Sequence, residues 1–402
     1  MAELRRSPRL VVARGREKSI LRRHPWVFSG AVERVEGDPR PGDTVDIVDG
    51  RGRFLARGAF SPSSQLRARV WTFDEDEPVD EAFIAARVLA AAARRDWLRD
   101  RSDGLRLVFA ESDGLPGVIV DRYGPVAVCE PTSTGADRWR HVIADALMQI
   151  DGIESVMERA DAPVRAKEGL MSRTGLLTGK APPPFVAITE RFAGGGSITL
   201  GVDVAEGHKT GCYLDQRENR AIVASVCADR RVLDVCSYTG GFSVAASAGG
   251  ARSVTLVDSS GPALSTAAGN LERNGIRGAE VIEADAFTEL RRLRESGRGF
   301  DVVVLDPPKL AGSARHVDRA SRAYKDLNLN ALKLIEPGGW LATFSCSGAI
   351  SEDLFSKIVF GAALDAGRDV QVVQYLSQAA DHPVLLTFPE ARYLKGLLCR
   401  VE

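Results

Sequence analysis

The chain is sparing with the residues that mark special environments. Its 402 residues include only 6 cysteines, 5 histidines, 4 methionines and 5 tryptophans, and aromatic residues make up 6%. Cys129, Cys212, Cys227, Cys236, Cys346 and Cys399 form no CxxC pair and no compact framework. That spacing excludes a disulfide-stapled scaffold and fits reduced thiols in a cytoplasmic protein. Histidines so few and scattered draw no zinc constellation, and no metal is expected. No apolar run approaches the about 20 residues that cross a bilayer, and no signal-peptide pattern opens the chain, so neither membrane nor export is expected. Net charge is almost missing too, at −1. That balance would argue against a nucleic-acid partner only if charge were evenly spread. It is not: Arg5, Arg6, Arg9, Arg14, Arg16, Lys18, Arg22 and Arg23 crowd the start, and Asp74-Glu75-Asp76-Glu77 offsets them elsewhere.

What is present sorts into three regions. Residues 1–73 show short strand-like runs, Leu10–Val12, Thr44–Val48 and Leu66–Val70, separated by turns such as Pro41-Gly42-Asp43, the texture of a small barrel. Residues 74–196 predict a helix over Val79–Leu98, strands at Leu105–Phe109, Gly117–Asp121 and Val126–Glu130, and a second helix over Asp137–Ile150. This α+β stretch shows no chemistry of its own. From residue 197 onward strands and helices alternate as in a parallel sheet. Strands are predicted at Arg231–Ser237, Ser253–Asp258, Glu280–Ala284, Asp301–Leu305 and Gly339–Phe344. An antiparallel edge hairpin of Val370–Leu376 and Tyr393–Val401 follows.

The first strand of that region runs into Ser237-Tyr238-Thr239-Gly240-Gly241, a turn of small residues opening a helix, where a ligand can approach the backbone. Its spacing is neither GxGxxG nor a phosphate-binding loop. Asp258, followed by Ser259, ends the second strand, placed to accept ribose hydroxyls. Asp285-Ala286 ends the third, placed near an adenine amino group, and Asp306 ends the fourth. Each aspartate alone is as well explained by capping the next helix. Together with the glycine turn the set points to S-adenosylmethionine.

Asp306-Pro307-Pro308-Lys309 makes a stiff loop that can hold a flat base against a methyl donor. The fifth strand ends in Ser345-Cys346-Ser347. Pyrimidine C5 accepts a methyl group only after a thiolate adds at C6, and Cys346 lies beside the Asp306 loop if these two strands are neighbours. The thiol would need cationic or dipolar help, for which Lys309 is the candidate. The alternative is a small buried apolar cysteine, a reading adopted for Cys212, Cys227, Cys236 and Cys399. The polar run Gly207–Arg220 suggests ligand or RNA contact.

GHKTGCYLDQRENR, VLDVCSYTGGFSVAA, LDPPK and FSCSG together resemble the bacterial large-subunit rRNA methyltransferase I family, over nearly the whole chain. The resemblance implies an α/β, Rossmann-like class I methyltransferase domain with a seven-stranded doubly wound sheet (197–402). It also implies a PUA β-barrel (1–73) and a small α+β central domain (74–196) before it. The expected activity is S-adenosylmethionine-dependent methylation of cytosine C5 in 23S rRNA, naked or in early assembly, with a second copy of the chain as a further candidate partner. Carried over by position, Cys346 is the nucleophile, with Asp306 next to the target base. Gln216, Arg220, Ser237, Tyr238, Thr239, Gly240, Asp258, Ser259, Asp285 and Ala286 are cofactor contacts, and Arg22, Arg23 and Lys209 meet RNA. One departure bears on the base. Some cytosine enzymes carry a second cysteine in the fourth-strand motif, and DPPK has none, which keeps uracil C5 as an alternative. A non-catalytic RNA-binding assembly factor is a third reading, opposed by the presence of Cys346, Asp306 and the glycine turn.

Overall fold

The computed structural model describes residues 7–402 (for residue 315 the backbone alone), so Arg5 and Arg6 lie outside the described residues. Two compact units result. One takes the chain up to Ile188 with Val202–Tyr213 and Asp381–Ala391; the other takes Thr189–Gly201, Leu214–Ala380 and Arg392–Glu402.

The first unit contains a six-stranded sheet in the order Trp26–Phe28, Leu66–Thr72, Phe54–Phe60, Thr44–Val48, Arg9–Val12, Val32–Glu36. Alternation sets its faces: Val45 and Ile47 are fully buried, while Asp46 between them meets Arg57 of the facing strand at 2.8 Å. A five-stranded sheet lies in the same unit, in the order Arg173–Gly179, Ser155–Ala160, Val126–Pro131, Val118–Tyr123, Gly104–Phe109. Helices Glu81–Ala93 and Thr134–Leu147 share its core, capped by Asp80 and Ser133. The first two of these strands have no apolar signature, since Ser155–Ala160 buries Glu158 and Arg159 with its aliphatic residues. Glu158 is satisfied across the ladder by Arg173 at 3.0 Å.

The second unit is built on one seven-stranded sheet. Its strands are β1 Arg231–Val235, β2 Ser253–Asp258, β3 Glu280–Glu283, β4 Phe300–Leu305, β5 Ile335–Ser345, β6 Val370–Ser377 and β7 Lys395–Val401. Helices α1 Arg217–Ala224, α2 Gly241–Ala248, α3 Gly261–Arg273, α4 Ala286–Glu295, α5 Val317–Leu334 and α6 Glu352–Ala366 connect them. The spatial order is β3-β2-β1-β4-β5-β7-β6. Runs such as Val302–Leu305 are apolar throughout because helices cover both faces. β7 enters antiparallel between β5 and β6, which is the predicted edge hairpin. Order reverses between β1 and β4, and ligands of open α/β sheets bind beyond the carboxyl ends of the strands at such a reversal.

Candidate active site

β1 stops at Val235 because Cys236 turns into the left-handed region with φ 61°, followed by Tyr238 at 50° and Gly240 at 76°. For the two non-glycine residues that conformation costs roughly 1–2 kcal/mol each, so the surroundings must hold it. They do. Ser237 N–H donates to Val257 O at 3.1 Å, Tyr238 N–H to Asp258 Oδ2 at 2.8 Å, and Asn270 Nδ2 to Thr239 O at 2.9 Å. Gly240 suits glycine twice over: its φ is in the left-handed region, and a Cβ there would lie a tight 3.1 Å from that of Ala267. Ser237 Oγ is buried and has no hydrogen-bond partner among the described residues.

The strand-end carboxylates converge on this turn. Asp258 Oδ1 also accepts Ser260 N–H at 2.9 Å, and Ser259 between them is exposed. Asp285 caps α4 through Thr288 N–H at 3.0 Å, with Ala286 half-buried behind it. Asp306 Oδ2 accepts Gln216 Nε2 at 2.9 Å, and Asn219 steadies Gln216 through its Oε1 at 2.6 Å. Burial pushes the Cys236 thiol up, and the charges of Asp258, Asp306, Asp234 and Asp285 push it further. That thiol is therefore a poor nucleophile. Asp234 beneath the turn is pushed up by burial to about 7, against hydrogen bonds from Ser243. Arg220, buried and paired to Glu190 with Nε at 2.9 Å, lies under the turn, its Cδ 3.2 Å from where a Gly241 Cβ would be. A rim of carboxylates around an unpartnered buried hydroxyl suits a ligand carrying a sulfonium and an ammonium charge beside hydroxyl groups.

β4 and β5 are parallel neighbours, with Leu305 opposite Thr343, so the Asp306 loop and Cys346 emerge side by side. Ser345 and Ser347 are fully buried and turn their hydroxyls to Tyr324 of α5, each at 3.0 Å. Cys346 between them is half-buried. Pro307 is buried, whereas Pro308 and Lys309 are exposed. A second lysine, Lys395, lies deeper: its Nζ donates to Ser347 O at 2.7 Å and Ile350 O at 2.8 Å.

Comparison with known proteins follows the same division. A PUA-like domain model matches residues 10–73, and an S-adenosylmethionine-dependent methyltransferase model matches residues 193–400. Ribosomal RNA large subunit methyltransferase I of Klebsiella pneumoniae (strain 342) is 51% identical over 398 residues, 98% of each chain. The chain belongs to the ribosomal RNA large subunit methyltransferase I family. S-Adenosylmethionine is the cofactor of this methyltransferase. Two solved structures share the fold, each at 20% identity and covering 98% of this chain and 99% of the other: a Streptococcus mutans chain assigned to the SAM-dependent methyltransferases (TM-score 0.82) and a methyltransferase complexed with SAH (TM-score 0.83).

The remaining site candidates of this family member fall in the first unit. Arg22 and Arg23 are exposed, and the Arg23 guanidinium lies 5.6 Å from the Phe73 ring centre. Trp26 donates to Glu111 at 2.8 Å, as a packed structural residue does. The Gly207–Arg220 run divides between the units after Tyr213. In its first part Thr210 is buried against Tyr123 at 2.8 Å and hydrogen-bonds Asp121, while Lys209 is exposed with Nζ 4.3 Å from the Tyr213 ring centre. Sequence reasoning missed Asn270, Tyr324 and Lys395, which lie far along the chain from the motifs they support.

Proposed function

We propose that this methyltransferase modifies C5 of a cytosine in large-subunit (23S) rRNA, with Cys346 as the nucleophile. The observation that carries the reading is the pairing of β4 with β5, which sets a half-buried thiol beside the Asp306–Lys309 loop. Bound S-adenosylmethionine supplies a methyl group on a positive sulfur. Ser237, Tyr238, Thr239, Gly240 and Asp258 would hold it, with Ser259, Asp285, Ala286, Gln216 and Arg220 completing the site. Asp306, steadied by Gln216, and the stiff Pro307-Pro308-Lys309 turn position the base. The Cys346 thiolate adds at C6, C5 becomes nucleophilic and takes the methyl group, the C5 proton passes to water, and the electron pair it leaves restores the C5–C6 double bond and expels the thiolate. A base must leave its stack to reach such a site, so an unpaired or weakly paired nucleotide is the substrate.

Residues 1–73 form the RNA-binding PUA domain of this scheme, 74–196 the central domain and 197–402 the catalytic domain. Arg22, Arg23 and Lys209 contribute phosphate contacts in the cytoplasm.

RNA carrying 5-fluorocytosine at the target tests the chemistry. Fluorine cannot leave C5 as a proton does, so wild type should form a covalent adduct stable to denaturing electrophoresis. Cys346→Ser should form none and should lose methyl transfer while still binding the cofactor. Full activity in Cys346→Ser overturns the C5 mechanism. The missing second cysteine in the DPPK loop favours uracil as the second reading, and trapping by 5-fluorouracil RNA alone would select it.

A further inference from the structure

We infer that Lys395 is a positioning residue for Cys346, gripping the turn that presents the thiol and supplying the positive charge beside it; the inference rests on Cys346 being the nucleophile. Lys395 opens β7 directly opposite Ser345, the last residue of β5. It is 8% exposed, where lysine is rarely found without a partner. Its two hydrogen bonds, to Ser347 O and Ile350 O, span the turn that follows Cys346 and tie it to the neighbouring strand. The same turn is also fixed by Tyr324, through the hydroxyls of Ser345 and Ser347. The thiol is thus carried on a segment held at once by the neighbouring strand β7 and by α5.

Carbonyls satisfy the donors of a buried ammonium but not its charge. The groups whose charge reaches Lys395 are Cys346 and Glu352, which favour its protonated form, and Lys309 and Arg392, which oppose it. Glu352 is already paired with Arg392 at 2.6 Å. Of the two groups that favour the ammonium, Cys346 as its thiolate is the one carried on the turn that Lys395 grips. Attraction is mutual, so an ammonium favoured by the thiolate favours the thiolate in return. Burial pushes Lys395 down to about 8, which leaves it charged near neutral pH. The thiol proton passes to bulk water, and Lys395 keeps its own. Lys309, on the exposed side of the same neighbourhood, adds charge that water screens.

The test is the pH profile of Cys346 alkylation by iodoacetamide, followed by mass spectrometry of the peptide that carries it. Lys395→Gln keeps an N–H donor and removes the charge; Lys395→Arg keeps the charge. Lys395→Gln should move the profile up by about one pH unit, slowing alkylation about tenfold at pH 7, while S-adenosylmethionine affinity is unchanged. Lys395→Arg should stay near wild type. If Lys395→Gln does not fold, Lys395→Met replaces it. An unmoved profile in the folded neutral variant overturns the inference, as does a displacement in Lys395→Arg as large as that in Lys395→Gln. Absence of the 5-fluorocytosine adduct in wild type overturns the nucleophile reading and this inference with it, whereas an unmoved profile with the adduct present overturns this inference alone.

Discussion

On the proposed assignment of Asp258 to the cofactor ribose, this residue is where cofactor binding and loop strain meet. Its carboxylate offers about four lone-pair directions. Two are taken by Tyr238 N–H at 2.8 Å and Ser260 N–H at 2.9 Å, leaving two for a pair of ribose hydroxyls. Asp258→Ala removes the hydroxyl acceptors and also the bond that steadies Tyr238 at a φ of 50°. A hydrogen bond to a charged group contributes about 1.5–3 kcal/mol, so loss of one net ribose hydrogen bond weakens S-adenosylmethionine binding roughly 10- to 150-fold. Relaxation of Tyr238 out of its left-handed conformation would add to that loss, because the turn would have to be rebuilt on binding. Asp258→Asn keeps the shape but can accept only through one oxygen, so its loss should fall between wild type and alanine. Isothermal titration calorimetry on variants with unchanged circular dichroism measures each dissociation constant. A folded Asp258→Ala protein that binds with wild-type affinity would refute the assignment of Asp258 to the ribose.

Replacing Arg22 and Arg23 together should weaken RNA binding and flatten its salt dependence by roughly 0.7–0.9 for each phosphate no longer neutralised, with cofactor affinity unaltered; filter binding across a salt series reads both. In the first unit Arg69 grips both oxygens of buried Glu168 at 3.0 Å, so Arg69→Met strands a carboxylate and should cost roughly 3–5 kcal/mol in urea unfolding at neutral pH. Glu168 is pushed up by burial but held below its ordinary value on balance by Arg69 and nearby serines. Its contribution is therefore present above the ordinary glutamate pKa and lost as pH falls through the lowered one. Arg69→Met should accordingly lose less stability on acidification than wild type does.

How legible each part was depended on where its partners lie in the chain. β4 could be read because a strand covered on both faces runs apolar, as Val302–Leu305 does, and the strand-end loops could be read because polar residues then begin abruptly. Asp285 was legible as a capping residue in the sequence and does cap the next helix, through Thr288 N–H. Ser155–Ala160 and Arg173–Gly179 were not legible, because ion pairs across the ladder replace the apolar alternation that would announce them. Lys395 gave no local signal at all. One lysine at the start of a strand looks solvated until the register sets it against Ser345. Asn270 is similar, a mid-helix amide whose value comes from holding Thr239 O and accepting Gly201 N–H at 2.7 Å.

The path of the chain has a practical consequence for anyone dissecting the molecule. Val202–Tyr213 and Asp381–Ala391 are excursions that return to the first unit while the residues around them build the second. Asp381 is among the returning residues and receives the backbone N–H of Arg106 at 2.8 Å. No single scission therefore separates the units: a cut after Ile188 leaves the first without Val202–Tyr213 and Asp381–Ala391, and a cut after Tyr213 leaves each fragment with a strip belonging to the other. Neither unit can close until sequence-distant pieces have been gathered, so assembly must be slow relative to a protein of local contacts. Fragment complementation, with both halves present from the start, is the form in which such a chain could be taken apart and still be put together.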